Sequence, residues 1–363
     1  MSVNSYMARE LGVCQRAEAL EAHFHRLHEK SVIRWTWVPA PSTVLLNYFS
    51  RDAHQELGRF GGFEYHEADE HIDWSLIDLL ILPAHGSDVS QRIIDLRLKN
   101  PNMLIALWLW DNHLAQVNNL KSVWMSDIYF PSHLSEADYL LNVQAPFGLH
   151  VPACTAQWSI AEASECMKEF ISLPRSNELL LNYVDYKFAW RSEVLARLRA
   201  ELPGVAALVM PSNDRGRYFA KSGRERLLEW ASHKSTVILP VMRDLSTRFF
   251  DSLLAGLVPI VPRLVADFDQ VIPPEDQQRL GIVRVDDLET ATVAKAVEVA
   301  NALFDAMGEE GVQRRVDYVL GRHMFSHRIH SLLTAIRAGG APAMGVRVTS
   351  GDQLPLALRF VRN

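Results

Sequence analysis

Short apolar runs alternate with amphipathic stretches along most of this chain. DLLILP (78–83), MLIALWLW (103–110) and SDIYFPS (126–132) are predicted strands. The first two are apolar almost throughout, as expected of parallel strands covered on both faces. Residues 89–99, 112–121 and 135–142 carry the helical pattern between and after them, and the alternation predicts a parallel α/β sheet. Upstream, Val13, Ala17, Leu20, Phe24 and Leu27 form a narrow apolar seam on a predicted helix over 6–29. Such a seam packs on its own domain or pairs a homodimer. IRWTWV (33–38) and VLLNYF (44–49) read as strands parted by the turn-forming Pro39–Ser42, and the Gly-bearing, then acidic, stretch 58–71 reads as a loop.

The second half repeats the pattern. A helix over 157–172 ends before LPRSNE, where Pro174 and the Ser176–Asn177 pair mark the expected domain boundary. LLLNYV (179–184), VAALVM (205–210) and STVILP (235–240) are strands, with helices to about 201 and near 222–232. A last amphipathic helix spans 324–337, its apolar face formed by Phe325, Ile329, Leu332, Leu333 and Ile336. The expected division is therefore residues 1–173, residues 174–339 and a tail of 340–363, in which VRV and LALRFV suit a hairpin, an arm on another subunit, or no structure.

The stretch STRFFDSLLAGLVPIVP (246–262) stands apart as an amphipathic helix running straight into a buried strand. Phe249, Phe250, Leu253, Leu254 and Leu257 share one face, while Ser246, Thr247, Arg248 and Asp251 lie on the other, near the helix start. Free backbone N–H groups and the positive dipole end suit a phosphate there. The bland alternative is an Arg248–Asp251 surface pair on an ordinary helix. Asp251, Gly256 and Pro259, an acid, a glycine five residues on and a proline three further, resemble the donor-binding element of GT-B glycosyltransferases, in the spacing of exostosin-like and related families. GIVRVDDLETATVAKAVEVA (281–300) is similar to the strand and helix that follow in that family, and the resemblance extends over roughly 177–337.

That resemblance implies two Rossmann-like α/β domains facing each other across a cleft, with the last helices crossing back to the first domain. It implies metal-independent transfer of a sugar from a nucleotide-sugar donor to a carbohydrate, glycolipid or other hydroxyl acceptor, in glycan assembly of the polysaccharide or lipopolysaccharide type. The family's acid is usually Glu and holds the donor ribose, a role that would fall to the shorter Asp251. Lys187 and Arg191 resemble basic residues that the fold places after the first strand of its donor domain. A nucleotide-sugar epimerase or phosphorylase-like enzyme, or a non-catalytic nucleotide-sugar-binding protein, fits the same architecture.

Ligands of open parallel sheets bind beyond the carboxyl ends of the strands. His85 follows DLLILP, Asp111 and His113 follow MLIALWLW, and Ser212 and Asn213 follow VAALVM. Asp111, His113 and His85 are thus the candidates for an acceptor base. Ser212, Asn213, Lys187, Arg191, Ser246, Thr247, Arg248 and Asp251 are candidates for the donor. Asp267–Phe268–Asp269 has the acid-x-acid form of a metal motif but falls in a loop between Pro262 and Pro273, so no metal or other cofactor is expected.

Composition narrows the partners. A net charge of −6 over 363 residues, 48% of them hydrophobic, describes a globular protein without the basic footprint of a nucleic-acid binder. Cys14, Cys154 and Cys166 follow no metal or disulfide spacing and point to a reducing compartment. With no apolar leader or spanning run, the expected address is the cytoplasm. The basic residues of 313–337 form either a solvated helix face or a contact with the inner face of an anionic membrane.

Overall fold

The computed structural model describes residues 23, 25–27, 29–38, 60–85, 89–111, 122–123, 125–133, 148–149, 151–155, 157–185, 189–211, 220–338, 347–348 and 356–359. The predicted strand 44–49 and helices 112–121 and 135–142 lie outside them, as does most of the 6–29 helix. The chain divides into two α/β units, one of residues 1–152 with 326–363, the other of residues 153–325.

The first unit contains β1 (Ile33–Trp37), β2 (Phe63–Tyr65), β3 (Leu79–His85), α1 (Ser90–Lys99), β4 (Leu104–Asp111), β5 (Ile128–Pro131) and β6 (Gly148–Leu149). These strands are parallel and ordered β2-β1-β3-β4-β5-β6, so the order reverses between β1 and β3. Continuous apolar sequence has the expected result: Leu79–Leu82 and Leu104–Leu109 are all 0% exposed. On one face Val89, Ile93 and Leu96 of the α1 segment pack on Leu80, Leu82 and Ile105. β2 corrects the loop expected over 58–71. It is only three residues long, with Phe63 alone buried, too short to show a period. Leu27, at the described end of the N-terminal helix, is 3% exposed and belongs to the core.

The second unit runs α2 (Ile160–Phe170), β7 (Ser176–Asp185), α3 (Ala189–Glu201), β8 (Val205–Pro211), α4 (Gly223–Ala231), β9 (His233–Val237), α5 (Thr247–Leu254), β10 (Val258–Pro262), α6 (Phe268–Val271), α7 (Pro274–Leu280), β11 (Val283–Val285) and α8 (Thr290–Arg322). Among the described residues its strands are parallel and ordered β8-β7-β9-β10-β11, the same winding as in the first unit, with the reversal between β7 and β9. Alternate residues of β7 serve opposite faces. Leu179, Leu181 and Tyr183 pack with α3 and the start of α8. Leu180 packs on the face that holds α2, α4, α5 and the end of α8. α8 reaches both faces because it breaks at Gly308, whose φ of 55° and ψ of −153° are not helical.

The boundary differs from the sequence expectation: it falls after Pro152 rather than at 173–174. The helix over 160–170 is amphipathic, and nothing in its own pattern says which sheet it covers. Its buried Ala163, Cys166, Met167 and Phe170 pack with Trp230, Leu253 and Leu254 of the second unit.

After α8, α9 (Phe325–Ala338) returns to the first unit, as the resemblance implies, and Arg328 Nε donates to Pro152 O at 2.8 Å. β12 (Arg347–Val348) and β13 (Leu356–Arg359) form an antiparallel pair that extends the first sheet beyond β6, the hairpin alternative for the tail. Much of the basic character of 313–337 is used internally. Arg315, His323 and Arg328 are at most 1% exposed. Arg314 pairs with Glu310, and Arg322 with Asp276.

α5 ends in a Schellman turn: Leu257 N donates to Ser252 O and Gly256 N to Leu253 O, both at 2.9 Å. Gly256 sits at φ +79°, and a Cβ there would lie 2.5 Å from Val312 Cγ1. Left-handed strain and overpacking should together destabilise Gly256→Ala by roughly 2–5 kcal/mol. Denaturant unfolding of this variant and of Gly256→Ala/Val312→Ala checks it, since the second substitution should relieve only the overlap.

Candidate functional site

The site in the second unit is built where its strand order reverses. β7 ends at Asp185 and β9 at Val237, and Tyr183 fastens their ends together. The Tyr183 hydroxyl donates to Val237 O at 2.6 Å and accepts from Leu239 N at 2.9 Å. Burial raises its pKa against the opposing charges of Arg248 and Arg191. Both guanidiniums stand over the Tyr183 ring, Arg248 at 4.9 Å and Arg191 at 5.6 Å from its centroid. Arg248 Nε donates to Asn182 O and Arg191 Nη2 to Val184 O, each at 2.8 Å. The sequence candidates Arg191 and Arg248, from α3 and α5, are thus brought together at the carboxyl end of β7. Arg248 forms no ion pair among the described residues.

α5 delivers its N-terminus to the same edge. Ser246 is its N-cap by backbone geometry, yet among the described residues no side chain caps the helix and the buried Ser246 Oγ has no hydrogen-bond partner. The first-turn N–H groups of Thr247 and Arg248 are therefore the positive end of a dipole without a capping acceptor. The opposite end is covered by cations: Arg175 Nη1 donates to Ala255 O at 2.8 Å and Arg315 Nε to Gly256 O at 3.0 Å. Burial lowers Arg175 to about 10 and Arg315 to about 9, so both carry charge at neutral pH.

The connection from β9 into α5 is strained. Val241–Asp244 is a turn closed by Asp244 N donating to Val241 O at 3.1 Å, with Met242 at φ 49° and Arg243 at φ 73°. Two successive non-glycine residues in the left-handed region cost about 1–2 kcal/mol each. The turn is held by the Asp244 carboxylate, which accepts from Val241 N, and by Ala266 N donating to Arg243 O at 3.0 Å. No glycine or asparagine at its two central positions announces it in the sequence.

Asp251 does not line this edge. It is 1% exposed, and its Oδ2 accepts from Gln157 Nε2 at 2.7 Å. Burial pushes the carboxyl up to about 6, against the pull of the Thr155 hydroxyl, Gln157, Arg248 and Arg226. A folded-state pKa above the unfolded 3.8 stabilises the fold fully below that pH, and the contribution is lost as pH rises through about 6. Asp251→Asn, which never ionises, should therefore gain stability relative to the wild type between about pH 4 and about pH 7, by at most about 3 kcal/mol. Urea titrations of both proteins across that range measure it. Gln157 and Thr155 were not legible as partners: Thr155 follows no periodic pattern, and Gln157, expected to open the helix over 157–172, lies before α2 instead.

In the first unit, backbone register places His85 of β3 opposite Asp111 of β4, across a bulge that follows Ala84. Two of the three acceptor-side candidates are thus neighbours at the carboxyl ends of adjacent strands. Bulges recur beside active sites because they re-aim side chains. His113, Lys187, Ser212 and Asn213 lie outside the described residues. Asp269 pairs with Arg284 at 3.4 Å, and among the described residues no group of three or more His, Cys, Asp or Glu could hold a metal ion. Among the same residues no helix is long and apolar enough to cross a membrane.

No family model matches the chain, and neither does any curated protein. Among solved structures it is similar to the N-terminal domain of Candida albicans trehalose-6-phosphate phosphatase, at 10% identity over 85% of this chain and 97% of that one, with a TM-score of 0.49. It is also similar to the pneumococcal O-GlcNAc transferase GtfA in complex with UDP and GlcNAc, at 11% identity over 72% of this chain and 56% of that one, TM-score 0.42. The calicheamicin glycosyltransferase CalG4 is similar at 13% identity, over 86% of this chain and 100% of that one, TM-score 0.33. At such scores, the function must be argued from this chain's own residues.

Proposed function

We propose that this chain is a glycosyltransferase of the GT-B type, transferring a sugar from a nucleotide-sugar donor to a hydroxyl acceptor in glycan assembly without a metal. The observation that carries it is the uncapped N-terminus of α5 beside Arg248 and Arg191, at the strand-order reversal of the second sheet. Open α/β sheets bind ligands at that point, and N–H groups with cations suit a diphosphate. As the glycosidic bond breaks, the leaving diphosphate gains charge, and Ser246, Thr247 and Arg248 would meet it with donors already in place, with the buried Arg191, 3% exposed, adding positive charge behind them. Lys187, Ser212 and Asn213 are assigned to the same donor from their places in the sequence. On the acceptor side, Asp111 or His113 takes the hydroxyl proton, with His85 beside Asp111 as the further candidate.

A panel of nucleoside mono- and diphosphates tests the donor site by thermal shift. A diphosphate at about a hundred times its dissociation constant should stabilise the protein by about 2.7 kcal/mol. Chelation by EDTA should change neither that shift nor turnover. A panel without any stabilising nucleotide would remove the donor site, and a requirement for magnesium or manganese would overturn the metal-free reading. Conversion of a nucleotide sugar without any acceptor would favour an epimerase.

A further inference from the structure

The chain enters the second unit at Ala153 and leaves it at Phe325, and the two crossings run side by side. Thr155 and Met324 form a parallel bridge, with Thr155 N donating to His323 O at 3.2 Å. Two consecutive residues of α5 grip this pair. The Phe250 ring stacks on His323, with centroids 4.9 Å apart and planes inclined by 27°. Asp251 takes the Gln157 amide at 2.7 Å, two residues beyond Thr155 in the entering strand. Arg248 lies one turn before Asp251 on the same helix face.

We propose that Asp251 is a positioning residue, one that couples the anion-binding end of α5 to the paired crossings at 153–157 and 323–325 rather than touching the ligand itself. The proposal rests on the reading of α5 as the donor-phosphate site. The carboxylate is 1% exposed and its Oδ2 is engaged by Gln157, so it faces the interior rather than the edge where a ligand would sit. The far end of α5 is fixed by its Schellman turn and by Arg175 and Arg315. An anion that orders the first turn therefore acts on a helix anchored behind, and the next contacts along it are Phe250 with His323 and Asp251 with Gln157. These are contiguous packed and hydrogen-bonded groups, the physical route that coupling requires.

Hydrogen exchange tests this on the full chain, with and without the nucleoside diphosphate that gives the largest thermal shift. In the wild type, nucleotide should slow exchange about fivefold or more both in α5 (246–254) and in the crossings (153–158 and 322–326). In Asp251→Ala the protection of α5 should persist while that of the crossings disappears. Asp251→Asn, which keeps the shape and an acceptor for Gln157, should restore it. Gln157→Ala repeats the test from the other partner should Asp251→Ala fail to fold. Protection of α5 without protection of the crossings in the wild type would overturn the coupling and leave the donor site standing. Absence of protection at α5 itself would overturn both. Crossings that stay protected in Asp251→Ala, or in Gln157→Ala where the former does not fold, would show that the coupling does not pass through Asp251.

Discussion

Asp111→Asn is expected to lower kcat by about 10²–10⁴-fold while leaving nucleotide affinity nearly unchanged if Asp111 is the acceptor base, and by less if His113 is. The strand before it explains why. Leu104 to Leu109 are 0% exposed, so the part of β4 that leads to Asp111 is packed on both faces. A general base needs that rigidity, because small displacements sharply reduce proton transfer. The bulge beside it brings His85 into register with Asp111 at the backbone level. Kinetics of Asp111→Asn, His85→Gln and His113→Gln separate the roles. The largest loss marks the base and a smaller one its orienting partner. Near-normal turnover in all three would move the proton to the donor phosphate.

The second large effect concerns Arg248. Arg248→Ala should reduce turnover by about 10²–10³-fold if its guanidinium meets the leaving phosphate. Its place is set twice over, by the bond to Asn182 O and by the Tyr183 ring beneath it. That anchoring spares the transition state the cost of ordering a long side chain. Arg248→Lys keeps the charge but loses the planar fork, and should recover only part of the rate. Equal turnover in Arg248→Ala and the wild type, with unfolding unchanged, would remove Arg248 from the chemistry.

The strands that could be read from sequence are those whose apolar runs are long. Leu79–Leu82, Leu104–Leu109 and Leu179–Val184 carry no competing periodicity, so burial on both faces was the only sensible outcome. β2 escaped because three edge residues next to an acidic stretch resemble a loop. The unit boundary escaped because an amphipathic helix shows that it has a buried face, never which sheet buries it. In α5 the helical pattern placed Asp251 with Arg248 on a polar face. The fold, however, covers the helix on all sides from Phe249 to Leu254, and the partner that satisfies Asp251 is 94 residues away in sequence. Long-range satisfaction of a buried polar group leaves no local trace. The left-handed pair Met242–Arg243 was hidden for the opposite reason: local chemistry there disfavours the conformation that tertiary contacts impose.

Because the crossings at Thr155 and Met324 lie together, the second unit is one uninterrupted stretch of chain whose ends meet, whereas the first is split around it. This sets an order during synthesis. Residues 153–325 can close their sheet as soon as they emerge, for every strand and helix of that unit is then present. The first unit is completed later, because α9 and the hairpin that extends its sheet are made only after residue 325. The half proposed to hold the nucleotide would thus be competent to bind before the half proposed to hold the acceptor is complete.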